Sequence, residues 1–458
     1  MTVPSPETVT PEKFPSRASG LPGRTVGLKT LRCLGAVALL CAGAVALPCS
    51  GLAQSRYTEP YPAAASKKGL QVEMVDDALA LGVKHAALNL NLTQLFVRDA
   101  AERSVTNLFD GEEFRFRRDY LESMDAQLKP LSEAGVLVNM IVLAYASGRP
   151  DVDRVVLHPN YSPSAPNHLG AFNTVTPEGR RWFSACLGFL AERWSRPDRK
   201  FGRVVGYIMS NEVNSHWWWS NMGRVTMEEF AEDHLRTVRL AHTAIRGQSS
   251  WARVYLSLEH HWSIRYGAGD ERQAFPARPF LDYFARRARE QGDFDWHLAF
   301  HPYPENLFKP EFWKDKSATT NANTPRITFK NLEMLMAYLR QPALLYAGQP
   351  RRVILSEQGF HTPAGAEGEA IQAAAYCYAY KKVEAMAGID AFILHRHVDH
   401  AHEGGLLLGL RGNQAAGGEA RPRKKIYDCF RAADTPEWRD AFAFALPIIG
   451  LKSWEDAK

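Results

Sequence analysis

Two segments decide the fold: Val204–Asn214 reads VVGYIMSNEVN, and Arg352–Phe360 reads RVILSEQGF. Each begins with an apolar run of strand length and continues into polar residues that include a glutamate, Glu212 or Glu357. A continuous apolar run is typical of a strand that is buried on both faces, as in a parallel sheet covered by helices. The segments therefore predict a parallel α/β fold with a carboxylate at the end of two strands.

Five more apolar runs of this kind lie elsewhere in the chain. The seven predicted strands are Lys84–Leu90, Val136–Leu143, Val204–Ser210, Arg253–Leu258, Asp295–Phe300, Arg352–Ser356 and Asp390–Leu394. Helical periodicity between them predicts helices over Asp119–Glu133, Pro177–Trp194, Met227–Arg246, Asn331–Arg340 and Gly368–Ala387. This alternation predicts an α/β fold, a single-domain (β/α)8 TIM barrel, whose unseen first strand lies in Arg56–Gly69.

Other fold and function classes fit the chain less well. An open doubly wound sheet is the structural alternative, but no glycine-rich phosphate loop follows any predicted strand. Hydrophobic residues make up 45% of the chain, which is enough to build a globular core. The formal net charge is only +5 over 458 residues, so the composition gives no electrostatic reason to expect nucleic-acid binding.

The N-terminal segment predicts export. Leu34–Leu47, LGAVALLCAGAVAL, is too short to span a bilayer, but it follows basic residues and precedes small ones, as in a secretory signal. We expect a signal peptide over residues 1–53 and a secreted or periplasmic catalytic domain over residues 54–458. No stable membrane association is expected after cleavage. An uncleaved membrane anchor is the alternative.

The two glutamates suggest a chemistry. Side chains that follow different strands of a barrel meet at the mouth formed by the carboxyl ends of the strands. Glycosidic-bond cleavage needs two carboxyl groups there: one protonates the leaving oxygen, and the other attacks the sugar or activates water. A separation of about 5–5.5 Å retains the anomeric configuration, and about 6.5–9.5 Å inverts it. Glu212 and Glu357 therefore predict a glycoside hydrolase, which needs no cofactor. Two salt-bridged structural glutamates are the alternative.

With these motifs the chain resembles the clan-A retaining glycoside hydrolases, and more narrowly a poorly characterised bacterial branch formerly catalogued as a domain of unknown function. Barrels of this clan carry Asn-Glu at the end of strand four and a nucleophilic Glu at the end of strand seven. The resemblance implies that Glu212 is the general acid/base, that Asn211 binds the sugar 2-hydroxyl and that Glu357 is the nucleophile. It also implies that Tyr303, in a His-Pro-Tyr motif at the end of strand six, supports the nucleophile.

The last strand departs from the clan pattern. Where many members have a tryptophan, this chain continues into His395-Arg396-His397-Val398-Asp399. Side chains alternate along an extended strand, so His395, His397 and Asp399 would share one face and meet polar or anionic groups of a sugar. The expected partner is therefore a carbohydrate, and an anionic one is included in the expectation.

The same histidines support an alternative function. With His260, His261 and His301 at neighbouring strand ends, they also fit a divalent-metal site. That pattern predicts a metal-dependent hydrolase of amide or phosphate bonds. Our main interpretation assigns no metal ligand and counts His261 and His301 among the substrate-binding residues. Solvent-facing or hydrogen-bonded histidines in a loop are the third interpretation.

Aromatic residues follow the Asn-Glu pair. Trp217-Trp218-Trp219 come soon after Asn214, and aromatic faces stack on sugar rings. We therefore expect Asn214 and Trp217 to bind substrate, the alternative being that two of the three tryptophans only cover the barrel rim. Glu259, at the end of the predicted fifth strand of the barrel, also joins the predicted site and would replace Glu212 as the acid if Glu212 were structural. A barrel that binds carbohydrate without cleaving it is the remaining alternative.

Overall fold

The structure is a computed structural model that describes residues 55–97, 99, 102–413 and 421–457. The predicted signal peptide, residues 1–53, lies outside the described residues. Those from Ser55 onward belong to one compact unit. None of the helices in the described ranges is long and apolar enough to cross a membrane.

Eight parallel strands close into a barrel, which confirms the predicted fold. In chain order they are β1 (Lys68–Gln71), β2 (His85–Asn91), β3 (Leu137–Leu143), β4 (Val204–Met209), β5 (Arg253–Glu259), β6 (Trp296–His301), β7 (Val353–Gln358) and β8 (Ile389–Leu394). Closure occurs at β1, where Leu70 pairs with Ala86 of β2 on one side and with Leu394 of β8 on the other. The seven predicted strands are all present, with small shifts at their ends.

The strand that the sequence pattern left unseen is β1, which overlaps the predicted range at Lys68 and Gly69 only. It is short and begins with a lysine, a residue that is almost never fully buried unless it is paired. Lys68 is nevertheless buried, because its ammonium pairs with Asp434 and donates a hydrogen bond to the Arg431 carbonyl at 3.1 Å. The partner residues lie near the other end of the chain, so no local pattern reveals this strand.

Side chains that point inward fill the barrel. Tyr255 on β5 is the largest of them, and it packs with smaller residues: Ala87, Ile141, Leu143, Leu169, Ile208, Ala299, Ile354, Ala391 and Ile393. Gly206 on β4 leaves room for Tyr255, since a Cβ at this position would lie 2.7 Å from the tyrosine ring and would clash with the side-chain oxygen of Asn139. The interior is therefore a packed core, and the site must lie above it at the carboxyl ends of the strands.

Helices surround the barrel. They span Val75–Ala80, Arg118–Glu133, Pro150–Val156, Pro177–Ser195, His216–Trp219, Met227–Arg246, Ala277–Glu290, Glu333–Tyr338, Gly368–Ala385, Lys425–Ala432, Trp438–Phe442 and Ala445–Ile449. The five predicted helices are present, although the fourth is a short helix behind a 3₁₀ turn at Phe329–Asn331. The helix Met227–Arg246 begins with a capping box, in which Thr226 and Glu229 exchange hydrogen bonds of 3.2 and 2.8 Å.

A β-hairpin outside the barrel was not predicted. Its strands, Ser104–Phe109 and Glu112–Arg117, are joined by Asp110 and Gly111 at φ angles of 48° and 80°. The hairpin packs on the helix Pro177–Ser195, because the rings of Phe116 and Phe189 stack with their centroids 4.8 Å apart. It covers the outer face of the barrel and contributes no residue to the site described below.

Candidate active site

The carboxylates of Glu212 and Glu357 meet at the mouth of the barrel. Glu212 follows β4, and Glu357 lies near the end of β7. One oxygen of each, together with a ring nitrogen of His301, lies within 4.8 Å of the other two atoms. Both glutamates are half-buried. Two residues far apart in the sequence are therefore brought to one site, as the strand-end pattern predicted.

The backbone after β4 aims Glu212 at the mouth. Ser210 and Glu212 have left-handed φ angles of 64° and 38°. For residues other than glycine this conformation costs about 1–3 kcal/mol each, and such residues are enriched at functional sites as well as in turns. The Glu212 N–H donates a hydrogen bond to Ser257 Oγ on β5 at 3.0 Å, which fixes the turn.

His301 holds the Glu212 carboxyl group in place. Its Nδ1 lies 2.9 Å from Glu212 Oε1, and its Nε2 lies 3.0 Å from Ser356 Oγ. The residue is only 1% exposed, and burial lowers its pKa, so the ring is neutral at neutral pH. The prediction that His301 contacts substrate is thereby corrected, because both ring nitrogens are already bonded to the protein.

The surroundings of Glu212 favour its protonated form. Burial raises the pKa of Glu212 to about 8, and the charge of Glu259 acts in the same direction, whereas His261 and His395 oppose the shift. A carboxyl group in this state keeps its proton at neutral pH, as a general acid must.

Two tyrosines stand near Glu357. The Tyr303 hydroxyl donates a hydrogen bond to Glu357 Oε1 at 3.3 Å, where the resemblance to the clan placed it. Burial and the charge of Glu357 raise the pKa of Tyr303, so this hydroxyl remains a donor. Tyr145 follows β3 and was missed by the sequence analysis, although it too stands at a strand end. Burial and the charge of Glu357 also raise the pKa of Tyr145, which is 36% exposed at the mouth.

Glu259 is a third carboxylate, and it is fully enclosed by donors. Its Oε1 accepts hydrogen bonds from Asn214 Nδ2 at 2.6 Å and Ser215 Oγ at 3.1 Å, and its Oε2 lies 2.6 Å from His261 Nδ1. Burial raises the pKa of Glu259, but the hydrogen bond and charge of His261 outweigh burial and place the pKa below its usual value. An ionised, enclosed carboxylate cannot protonate a leaving group, so Glu259 does not replace Glu212 as the acid.

This network corrects two predicted substrate contacts. Asn214 is completely buried, and its amide both donates to Glu259 and accepts the Glu259 N–H at 3.0 Å. His261 is 6% exposed, with Nδ1 bound to Glu259 and Nε2 lying 3.3 Å from an Arg326 guanidinium nitrogen. Both residues position Glu259 and present no free polar group to the mouth.

The prediction that His395, His397 and Asp399 share one strand face is wrong, because β8 ends one residue before His395. Beyond that point the chain turns, and each side chain finds a different partner. His397 is completely buried with Nε2 2.8 Å from Asp77 Oδ2, so it does not reach substrate. Asp399 forms a buried ion pair of 2.9 Å with Lys424.

Of the three, His395 is the residue beside the nucleophile. Its Nδ1 is hydrogen-bonded to Gln71 of β1, and its Nε2 lies 3.4 Å from Glu403. Burial lowers the pKa of His395, but the charges of Glu357 and Glu403 raise it above the usual value overall. Arg396 is ion-paired with both Glu73 and Glu403. The expectation that His395 or Arg396 binds an anionic sugar is corrected, since both ring nitrogens of His395 are bonded within the protein and Arg396 already has carboxylate partners.

The aromatic loop presents different tryptophans from the one predicted. Trp217 is 9% exposed and belongs to the core, whereas Trp218 and Trp219 are half-buried. Trp218 packs edge-on against Tyr266, with ring centroids 4.8 Å apart. Asn211, immediately before Glu212, is 8% exposed, and its side-chain amide has no hydrogen bond to any residue that the structure describes. That amide is free to bind a ligand.

Two groups of three side chains in the described ranges bring metal-ligand atoms within 4.8 Å of one another. They are Glu212, His301 and Glu357, and Glu259, His260 and His261. In each group a histidine nitrogen already pairs with a glutamate oxygen, and the predicted His-x-His pair is divided between different partners. Hydrogen bonding within the protein, which the third interpretation of these histidines includes, is what the structure shows.

Comparison with known proteins agrees with the fold. Residues 60–457 match the model of a family described as a family of unknown function (DUF5722), and no curated protein matches the chain. A hyperthermophilic β-glucosidase from Pyrococcus furiosus is 14% identical, with a TM-score of 0.50 over 82% of this chain and 86% of that one. A family 39 glycoside hydrolase from the gut symbiont Bacteroides cellulosilyticus WH2 is 13% identical, with a TM-score of 0.50 over 81% of this chain and 63% of that one. The barrel therefore has the fold of glycoside hydrolases, which confirms the predicted resemblance at the level of the fold.

Proposed function

We propose a function for this chain, which belongs to the family of unknown function DUF5722: it is an exported glycoside hydrolase that cleaves O-glycosidic bonds of an oligo- or polysaccharide. The observation that carries the proposal is the pair of carboxylates at the barrel mouth, with an oxygen of Glu212 and an oxygen of Glu357 within 4.8 Å. This short distance between the two carboxyl groups is typical of retaining enzymes. An inverting enzyme needs a wider separation, because a water molecule must fit between the carboxylate and the sugar.

In the first step Glu357 acts as the nucleophile. One of its carboxylate oxygens bonds to the anomeric carbon while the bond from that carbon to the leaving oxygen breaks. Glu212 gives its proton to the leaving oxygen, so the aglycone departs as a neutral alcohol. The raised pKa of Glu212 supports this role, and the Tyr303 hydroxyl orients the attacking carboxylate.

In the second step water releases the sugar. Glu212, now a carboxylate, takes a proton from water as the water oxygen bonds to the anomeric carbon. The bond between the anomeric carbon and Glu357 breaks, and Glu357 leaves with the electron pair as a carboxylate. Two inversions at one carbon give net retention, and both glutamates return to their starting states.

The substrate part of the proposal rests on the residues that remain available at the mouth. The free amide of Asn211 fits a sugar hydroxyl next to the anomeric centre, as the clan resemblance implies. The half-buried rings of Trp218 and Trp219, and the partly exposed ring of Tyr145 near Glu357, offer apolar faces for sugar rings. The segment before Ser55 predicts export. An exported enzyme would meet polysaccharides outside the cytoplasm.

Variants of the two glutamates test the function. On the substrate found by screening plant, algal and sulfated polysaccharides, Glu357→Gln is expected to lose at least about 10³-fold in kcat, because no bond to the anomeric carbon can form. Glu212→Ala is expected to lose about 10²–10⁴-fold on substrates with poor leaving groups. Added azide partly restores turnover by Glu212→Ala, since a small anion can attack the glycosyl-enzyme without a base.

The matched control is Glu384→Gln, which alters an exposed glutamate on the helix Gly368–Ala385 that follows β7. It is expected to retain wild-type activity. Full activity in Glu357→Gln would remove the nucleophile assignment. An inactive wild type that still binds polysaccharide would favour the carbohydrate-binding alternative.

A further inference from the structure

Glu259 is tied to the same loop that carries the acid. Asn214 and Ser215, which bond its carboxylate, are two and three residues after Glu212 in the sequence. The Glu259 N–H donates back to Asn214 Oδ1 at 3.0 Å. A second set of bonds comes from His261, whose N–H and Nδ1 lie 2.9 and 2.6 Å from Glu259 Oε2. The carboxylate is thus fixed in position and 5% exposed.

The hydrogen bonds around Glu259 favour its ionised form. Its oxygens accept several hydrogen bonds, which stabilise the ionised form in spite of burial. Glu357 differs in this respect, because it loses its charge when it bonds to the sugar. The two negative charges near Glu212 therefore behave differently during turnover.

We propose that Glu259 is a positioning residue that keeps Glu212 protonated in both the free enzyme and the glycosyl-enzyme, so that only a small fraction of the glycosyl-enzyme carries the ionised base at neutral pH. This inference rests on the proposed function. Glu212 must hold a proton in the first step and lack it in the second. When the nucleophile's charge alone holds the proton, bond formation removes that charge and frees the base. A charge that remains at Glu259 does not allow this release.

Four strands of the barrel place ionisable or hydrogen-bonding groups around Glu212. These groups are Ser257, Glu259 and His261 from β5 and its end, His301 and Tyr303 from β6 and its end, Glu357 from β7 and His395 after β8. Among their charges, that of Glu259 has the largest effect on the pKa of Glu212, after burial.

The effect on Glu212 is measurable without substrate. The carbonyl band of the protonated Glu212 carboxyl group, identified by its loss in Glu212→Gln, is followed by infrared titration from pH 5 to 10. In Glu259→Gln, which keeps the shape and removes the charge, the midpoint is expected to fall by about one pH unit. An unchanged midpoint would overturn the inference. Circular dichroism and thermal unfolding establish that the variant is folded.

The effect on turnover is measured on the trapped intermediate. A panel of 2,4-dinitrophenyl 2-deoxy-2-fluoro glycosides (β-gluco, β-galacto and β-manno) supplies a slowly released adduct, and its loss is timed after excess reagent is removed. The wild-type rate is expected to rise about tenfold per pH unit from pH 5 and to level off near pH 8, where Glu212 ionises. In Glu259→Gln the rate at pH 6 is expected to be about tenfold higher, a gain that structural damage would not produce.

The matched control is Glu305→Gln. Glu305 lies in the loop after β6, and its carboxylate accepts hydrogen bonds from Ser317. It is not among the groups named as shifting the pKa of Glu212. The variant is expected to behave as the wild type in both measurements. A wild-type release rate that is flat above pH 6 would contradict the inference. This measurement uses the wild type alone, so misfolding of a variant cannot affect it. Failure of every glycoside to label Glu357 would count against the proposed function, and the infrared titration would still decide the charge effect.

Discussion

Glu212 makes the folding stability of the protein depend on pH. Its ordinary pKa of 4.5 is raised to about 8 in the folded chain, chiefly by burial. The folded protein therefore binds this proton more tightly than the unfolded chain does. The resulting stabilisation is complete below about pH 4.5 and is lost as the pH rises through 8, because the unfolded chain then releases the proton more readily.

The substitution Glu212→Gln removes this pH dependence. At pH 9 the variant is expected to unfold at a higher temperature than the wild type, because it never places a charge in the buried site, and at pH 4 the two are expected to unfold at similar temperatures. Thermal unfolding at the two pH values measures the difference, with Glu384→Gln as the reference for an exposed position. A difference between variant and wild type that is the same at pH 4 and pH 9 would contradict the assigned pKa.

At single positions, the sequence located the carboxyl groups at the barrel mouth better than it located the buried residues around them. Glu212 and Glu357 could be located at the barrel mouth because they stand where strands end, and the barrel brings all strand ends together, whereas the place of Tyr303 came from the resemblance to the clan. Asn214 and His397 are polar residues beside the same strands, yet each is completely buried against a partner that a local pattern does not show. Burial and hydrogen-bond partners depend on distant parts of the chain.

Among the elements, strand β4 requires a glycine at position 206. Gly206→Ala is expected to destabilise the fold by about 1–3 kcal/mol, because the new methyl group would clash with Asn139 and press against the ring of Tyr255. Urea unfolding measures the change. The control is Gly267→Ala, where an added Cβ meets no atom within 4 Å and the free energy of unfolding should hardly change. Equal stability of the two variants would show that the barrel interior is looser than described.

The elements also show where a pattern is informative. Apolar runs predicted seven strands, because a strand buried on both faces has few polar residues. β1 does not follow this rule, because it contains the buried Lys68, whose charge is paired with that of Asp434. The hairpin was missed although Asp110-Gly111 is a typical hairpin turn. The helix Ala277–Glu290 was also missed, and its buried face of alanine and phenylalanine residues repeats with helical spacing.

For the molecule as a whole, the parallel barrel turns sequence distance into spatial proximity. Two strands, β5 and β6, lie between the strands that carry Glu212 and Glu357, and the closed sheet places both glutamates at one mouth. The fold class followed from the alternation of strands and helices. The charge state of the site did not, because it arises from burial and from Glu259, which acts on Glu212 only after folding.

The stereochemistry of hydrolysis distinguishes a covalent intermediate on Glu357 from direct attack by water. Proton NMR of the first products, recorded before the sugar equilibrates in solution, shows which anomer the enzyme releases from the substrate that screening identifies. A displacement by Glu357 followed by a displacement by water releases the anomer with the configuration of the substrate. Release of the opposite anomer would mean that water attacks directly, and the account of Glu357 as a nucleophile would then be contradicted.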